Sequence, residues 1–152
     1  MSIVENKLNS LGLTLPVSAK PIAAYIPATR HGNLVLTSGQ LPIKDGSLII
    51  SGRLGSNLDV ADVKSAAEMC LLNALSAIKE VIGDLDLIKN IVRVVGYVAC
   101  TPEFTNHPVV VNGVSNLILE IFGENGRHVR SAIGVASLPL NSPLEIELTV
   151  AV

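Results

Sequence analysis

Apolar and polar residues change their spacing several times along this chain, and each change marks an element. Ile3, Val4, Leu8 and Leu11 recur at a weak helical spacing that ends at Gly12. Residues 22–26 read as a first strand, followed by a turn at His31, Gly32 and Asn33. Leu34 to Ser38 read as a second strand closed by Gly39, and the Asp45-Gly46 turn signal introduces a short third strand at 47–51. The clearest helix spans about 60–82. There Val63, Ala67, Cys70, Leu71, Ala74, Ile78 and Val81 form one apolar stripe, with Asp59 and Asp62 at its start and Gly83 at its end. Ile91 to Ala99 form a strand with few polar residues, covered on both faces. A second helix begins at Asn106 or His107, has Pro108 in its first turn, turns Val111, Val114, Ile118 and Phe122 inward, and stops at Gly123. Arg130 to Ser137 form a strand. Leu144 to Val152 form the last one, strictly alternating, with Leu144, Ile146, Leu148 and Val150 on one face and Glu145, Glu147 and Thr149 on the other.

This order predicts an α+β fold of two layers, a mixed β-sheet with two helices on one face. The other face must meet water or a partner. At 152 residues the chain reads as a single domain, 1–152, able to bury about two-thirds of its unfolded surface.

Composition sharpens the second possibility. The chain is 49% hydrophobic and 16% charged, with mean hydropathy +0.52, yet no apolar run reaches the ~20 residues of a membrane helix. The apolar surplus favours an oligomer of closed symmetry over a monomer with an ordinary buried sheet. A net charge of −2, a pI near 5.9, 3% aromatic residues and no basic run argue against a nucleic-acid surface. Cys70 and Cys100 sit in apolar settings and read as buried free thiols, as expected in a cytoplasmic protein. The first residues, interrupted by Glu5, Asn6, Lys7 and Asn9, do not read as a signal peptide.

No metal signature, phosphate-binding glycine loop or local nucleophile triad is present. His31, His107 and His128 lack ligand spacing. Polar residues inside apolar strands therefore carry the chemical signal. Arg130 opens an apolar strand, where its planar fork suits a carboxylate. The plain alternative is a solvated arginine or one paired with Glu124. Glu145 and Glu147 share one face of the last strand, either as an ordinary exposed face or as a carboxylate that holds water for attack on a C=N bond. In Thr37-Ser38-Gly39-Gln40 the glycine admits close approach of a ligand, or simply ends a strand. Tyr25 is either a site residue or a core or interface one. If the last two strands formed a plain hairpin, Arg130 and Glu145 would lie ~20 Å apart in one subunit and could meet only across an interface; an intervening strand would void that argument.

Two separated stretches carry a resemblance. Asn33-Leu34-Val35-Leu36-Thr37-Ser38-Gly39-Gln40-Leu41-Pro42 resembles the "GN-x-x-x-x-SGQ-x-P" stretch of the Rid (YjgF-type, endoribonuclease L-PSP) family, and Arg130-Ser131 followed by Ile133, Val135, Leu138-Pro139 and Glu145-Ile146-Glu147 resembles its "RS…V…LP…EIE" signature. The resemblance covers about 20–152 and leaves 1–20 as an extra N-terminal segment that could narrow a cleft. It implies a chorismate-mutase-like fold, a homotrimer with three inter-subunit clefts, and cofactor-free, metal-free hydrolysis of reactive 2-enamine or 2-imine carboxylates to 2-keto acids and ammonia. By resemblance, Arg130 clamps the substrate carboxylate, Glu145 orients the attacking water, Tyr25 lines the cleft and Gly39 lies beside the ligand. Ala132 stands in the substrate site where many members have cysteine, and Gly134 where glutamate is common. The loop 123–129 is longer than usual, so that Arg127 and His128 could reach the cleft. These departures mark a divergent subgroup. A trimer that binds a small carboxylate without turnover is the first alternative, and an endoribonuclease or translation inhibitor the second.

Overall fold

A computed structural model describes residues 2–18, 20 and 23–152. The elements, in order, are α1 (Ile3–Ser10), β1 (Ala28–His31), β2 (Leu34–Thr37), β3 (Ile43–Lys44), β4 (Ser47–Leu48), α2 (Lys64–Ile82), β5 (Asn90–Ala99), α3 (His107–Phe122), β6 (Val129–Val135) and β7 (Leu144–Ala151). Five strands form one sheet in the order β1-β2-β7-β5-β6; β3 and β4 form a separate ribbon. Only β5 and β6, joined through α3, run parallel; the other pairs are antiparallel. The mixed sheet with two helices against one face is the architecture expected from the chain's periodicities.

The strongest patterns map directly onto the core. Leu144, Ile146, Leu148 and Val150 of β7 are all at most 1% exposed and face α2, while Glu145, Glu147 and Thr149 face away. Each such aliphatic side chain contributes roughly 1.5–3 kcal/mol by leaving water. In α2 the stripe from Ala67 to Ile78 is buried against the sheet, and Gly83 at φ 86° closes the helix with its N–H on the Lys79 carbonyl. The Asp62 carboxylate takes the Asp59 N–H at 2.8 Å and anchors the turn that leads into α2. Two glycines let α3 lie close, Gly96 to the sheet and Gly113 to α2. A Cβ on Gly96 would fall 2.4 Å from Val111 Cγ2, and one on Gly113 2.9 Å from the Ala67 Cβ.

Two expectations need correction. The strand expected at 22–26 is absent over residues 23–26 (Ile22 lies outside the described residues), and β1 forms instead at Ala28–His31. Its position follows from pairing with β2, Ala28 opposite Thr37 and His31 opposite Leu34, around a turn with Gly32 at φ 62°. The strand expected at 47–51 shrinks to Ser47–Leu48, paired with Ile43–Lys44 across Asp45-Gly46, both at positive φ as this hairpin turn requires.

α1 packs against α3 and the turn at Leu85–Leu87, with Val4 and Leu8 buried. The Ser2 hydroxyl accepts the Glu5 N–H, and the Asp86 carboxylate accepts the N–H groups of Ile3 and Val4 at 2.8 and 2.9 Å. Those two donors hold the Asp86 carboxyl below its ordinary range. Among the described residues no helix is long and apolar enough to cross a membrane.

Candidate functional site

Arg130 sits on the helix-covered face of β6, the edge strand beside β5. Of its plain alternatives, the pair with Glu124 does not form. Glu124 pairs with Arg127 at 2.8 Å, and Arg130 turns along α3. Nη1 donates to Asn112 Oδ1 at 2.8 Å and to Ser115 Oγ at 3.2 Å, and Nη2 donates to the Pro108 carbonyl at 3.3 Å. A guanidinium has five N–H donors, and these three contacts use both on Nη1 and one on Nη2. The Nε–H and the second Nη2–H remain. The Nε/Nη2 edge is the one a carboxylate accepts side-on, and its Nε–H has no partner among the described residues. The protein thus grips one edge of the head and leaves the other edge as a fork.

Ser115 is itself held from behind. His128 Nδ1 is 2.6 Å from the Gly126 carbonyl, so that nitrogen carries the proton in the neutral ring. Nε2 then accepts from the Ser115 hydroxyl at 2.8 Å, which leaves the Ser115 oxygen free to accept from Arg130. The loop 123–129 therefore turns His128 inward against α3, while Arg127 stays with Glu124 at the surface. Ala132 follows Arg130 on the same face and packs against the core.

The other site candidates gather elsewhere. Glu145 lies on the open face of β7, opposite Tyr97 of β5. Its side chain rests on Gly39, where a Cβ would fall 2.0 Å from Glu145 Oε1. Burial, and secondarily the charge of Glu147, pushes the Glu145 carboxyl above its ordinary range. Among the described residues no hydrogen-bond donor sits on Glu145, whereas Glu147 accepts from the Tyr97 hydroxyl at 3.1 Å. The two glutamates thus differ: one is tied to the sheet and one is left open. Gln40 continues the strand onto β7 through paired bonds with Ile146. Ser38 donates to the Ile26 carbonyl at 2.6 Å and, with Tyr25, lines a hollow of about 430 Å³. Tyr25 is 58% exposed there and is no core residue.

The candidates form two groups on opposite faces of one sheet. Arg130 and Ala132 face α3; Tyr25, Gly39 and Glu145 lie on or beside the open face. β5 separates β6 from β7, so the two strands form no hairpin. Tyr97 pairs with both Ile133 and Glu145, which puts the Arg130 and Glu145 backbones about 14 Å apart from strand spacing and rise. With the side chains on opposite faces, the two cannot act on one small molecule within a protomer.

Three partners went unseen in the sequence. Asn112 and Ser115, at helical spacing on α3, become visible only once β6 is known to lie beside α3. The third is His107, whose Nε2 is 3.4 Å from Cys100 Sγ at the start of the same helix. Both cysteines are buried and free, and burial raises both thiols above their ordinary range. No group of three or more His, Cys, Asp or Glu side chains suited to a metal occurs among the described residues.

Comparison with known proteins shows the family and the fold. Residues 5–151 match the family model described as "YjgF/chorismate_mutase-like, putative endoribonuclease". Protein TCP17 of Trypanosoma cruzi is 39% identical over 148 residues, 97% of this chain and 92% of that protein. The crystal structure of Atu1372 from Agrobacterium tumefaciens, a protein of unknown function, superposes with a TM-score of 0.91 at 42% identity, over 99% of this chain and 92% of the other. The YjgF gene product of E. coli superposes at 0.63 with 26% identity, over 91% and 97%. The chain stands closer to Atu1372 than to YjgF itself.

Proposed function

The chain belongs to the YjgF/chorismate mutase-like family, and from that premise we propose that it is a hydrolytic deaminase of reactive 2-enamine or 2-imine carboxylates. The observation that carries the reading is the Arg130 head, fastened along one edge by Asn112, Ser115 and Pro108 and open along the other. A pre-oriented fork loses little freedom on meeting a carboxylate, and it fixes the adjacent C2 carbon. The active unit in this reading is a homotrimer. One protomer contributes Arg130 and Ala132; its neighbour contributes Tyr25, Gly39 and Glu145. The opposite-face arrangement of the two groups supports a shared cleft, as does the apolar open-face surface at Leu36, Val129 and Ile133.

In that cleft Glu145 accepts a proton from water as the water oxygen bonds to C2 of the imine. The same proton passes to nitrogen; Glu145 then takes the hydroxyl proton of the carbinolamine and delivers it to nitrogen as the C=O forms and the C–N bond breaks, so ammonia leaves with the 2-keto acid. A carboxyl raised by burial suits this exchange, because it takes a proton more readily than an ordinary carboxylate does. No cofactor or metal enters the scheme, and we place it in the cytoplasm.

The experiment is a coupled assay in which an amino-acid oxidase or dehydratase supplies 2-aminoacrylate and longer 2-imino acids and keto-acid release is followed. Wild type accelerates release and Arg130→Ala does not. Carboxylate binding without turnover of any imino acid would replace the enzyme with a binding trimer. The endoribonuclease description attached to the family has less support here, given the net charge of −2 and the lack of a basic stripe. RNase activity that co-purifies with the protein and vanishes in Arg130→Ala would restore it.

A further inference from the structure

Arg130 has three anchors on α3, and they are not equal. The contacts with Asn112 and the Pro108 carbonyl lie in exposed positions, where water competes for the same donors. Ser115 is buried, and its contact with Nη1 at 3.2 Å is shielded in part. A hydroxyl, however, both donates and accepts, so on its own it does not fix which way it faces the guanidinium. In a helix its hydrogen commonly turns to a carbonyl one turn back.

Two residues outside α3 set that direction. His128 Nδ1 lies 2.6 Å from the Gly126 carbonyl, which keeps the proton of the neutral ring on Nδ1 and leaves Nε2 bare. Nε2 lies 2.8 Å from Ser115 Oγ, so Ser115 donates to His128 and its oxygen accepts from Arg130. The bonds therefore run one way, from Arg130 through Ser115 and His128 to Gly126. The loop is seated to make this chain. A Cβ on Gly126 would fall 2.9 Å from the Ile118 carbonyl oxygen and 3.1 Å from Ile118 Cγ2, one turn beyond Ser115 on α3. The φ of Gly126 is not positive, so close approach to α3, and not backbone strain, calls for glycine there. Arg127 pairs with Glu124 at the surface and takes no part.

We propose that Ser115 and His128 are positioning residues of the Arg130 site. Their one-way chain sets the guanidinium before a ligand arrives, and so governs how a carboxylate is oriented more than whether it is attracted. Neither residue needs to touch the ligand. The proposal rests on the reading of Arg130 as a carboxylate fork, but it does not depend on turnover. Once the chain is broken, the ligand has to order the arginine itself, which lowers affinity roughly 2- to 12-fold for one long side chain.

Two substitutions of His128 separate the chain from the loop. A glutamine amide can place its oxygen where Nε2 lies and accept from Ser115. An asparagine amide places an N–H where Nδ1 lies and keeps the bond to Gly126. Propanoate, which carries the carboxylate but cannot be deaminated, is titrated by calorimetry into wild type, Ser115→Ala, His128→Gln, His128→Asn, Ser115→Ala/His128→Asn and Arg130→Ala, and keto-acid release is followed in parallel. His128→Gln keeps the acceptor and should stay within about twofold of wild type in both. Ser115→Ala and His128→Asn should bind propanoate roughly 2- to 12-fold more weakly and lose up to roughly 100-fold in kcat. The double variant should be no worse than the poorer single one, because both break the same chain. Nitrogen NMR of labelled histidine should find the neutral His128 ring protonated on Nδ1. A neutral ring protonated on Nε2, a His128→Asn protein that binds like wild type, an equal loss in His128→Gln and His128→Asn, or additive losses in the double variant would each overturn the proposal. Propanoate binding unchanged in Arg130→Ala would remove the fork and the proposal with it. If no imino acid is turned over, the propanoate series and the ring tautomer still test the chain, so failure of the deaminase reading stays distinct from failure of this proposal.

Discussion

Gly39→Ala isolates the position of Glu145 from its chemistry. The backbone at Gly39 is not in the left-handed region, so alanine adds no backbone strain. Its methyl, however, would land 2.0 Å from Oε1, 2.7 Å from Cδ and 3.0 Å from Cγ of Glu145. Ordinary contact begins near 3.4 Å, so the carboxylate must retreat by at least 1.4 Å. The Glu145 head is half-buried and borders open space, so it can swing away. The stability loss should therefore sit at the low end of the overpacking range, about 1 kcal/mol. Catalysis should suffer far more, since a misplacement of about 1 Å in a reacting group can reduce rate roughly 100-fold. The assay pairs urea denaturation with keto-acid release. Expected are a kcat lower by about two orders of magnitude, a nearly unchanged affinity for propanoate, and full recovery of stability, but not of rate, in Gly39→Ala/Glu145→Ala. A Gly39→Ala protein with kcat within twofold of wild type would refute the idea that Glu145 acts from where it lies.

Other consequences follow from single groups. Asn112→Ala frees one contact that orients the Arg130 head, so kcat/KM should fall by up to roughly 100-fold through misplacement of the fork, while the urea midpoint stays close to wild type because the bond is exposed. Glu145→Gln should be more stable than wild type at neutral pH. The wild-type carboxyl is raised, so the fold loses stability as pH rises from the ordinary value near 4.3 through the raised one, and the advantage should close in acid. Asp86 has the opposite sign: its carboxyl is lowered by the α1 N–H groups, so its contribution is full above about pH 4 and lost as pH falls through the lowered value. Asp86→Ala should accordingly be destabilised at neutral pH and match wild type in strong acid, by thermal denaturation across pH.

Periodicity made α2, α3, β5 and β7 legible because each buries a face against the one core. It misplaced β1 because Thr29-Arg30-His31 belong to an exposed edge strand, where pairing with β2 and not burial sets the position. It could not order β6 and β7, since whether β5 lies between them is a long-range choice no local pattern records. The site followed the same division. Arg130 was legible as a charge in an apolar strand and Gly39 as a break in another. Asn112, Ser115 and His107 were not, because their meaning depends on which strand α3 covers. Alternation alone left the two glutamates alike; the contact of Glu145 with Gly39 and the Tyr97 hydroxyl on Glu147 tell them apart.

The central claim is a cleft shared between copies, with Arg130 from one and Glu145 from the next, and subunit mixing tests it most directly. Arg130→Ala and Glu145→Ala proteins, each inactive alone, are unfolded together in equal amounts, refolded and assayed for keto-acid release. In randomly mixed closed trimers roughly one cleft in four regains both residues, so about a quarter of wild-type activity should return. A mixture that folds, forms mixed trimers by mass and stays inactive would contradict the shared cleft.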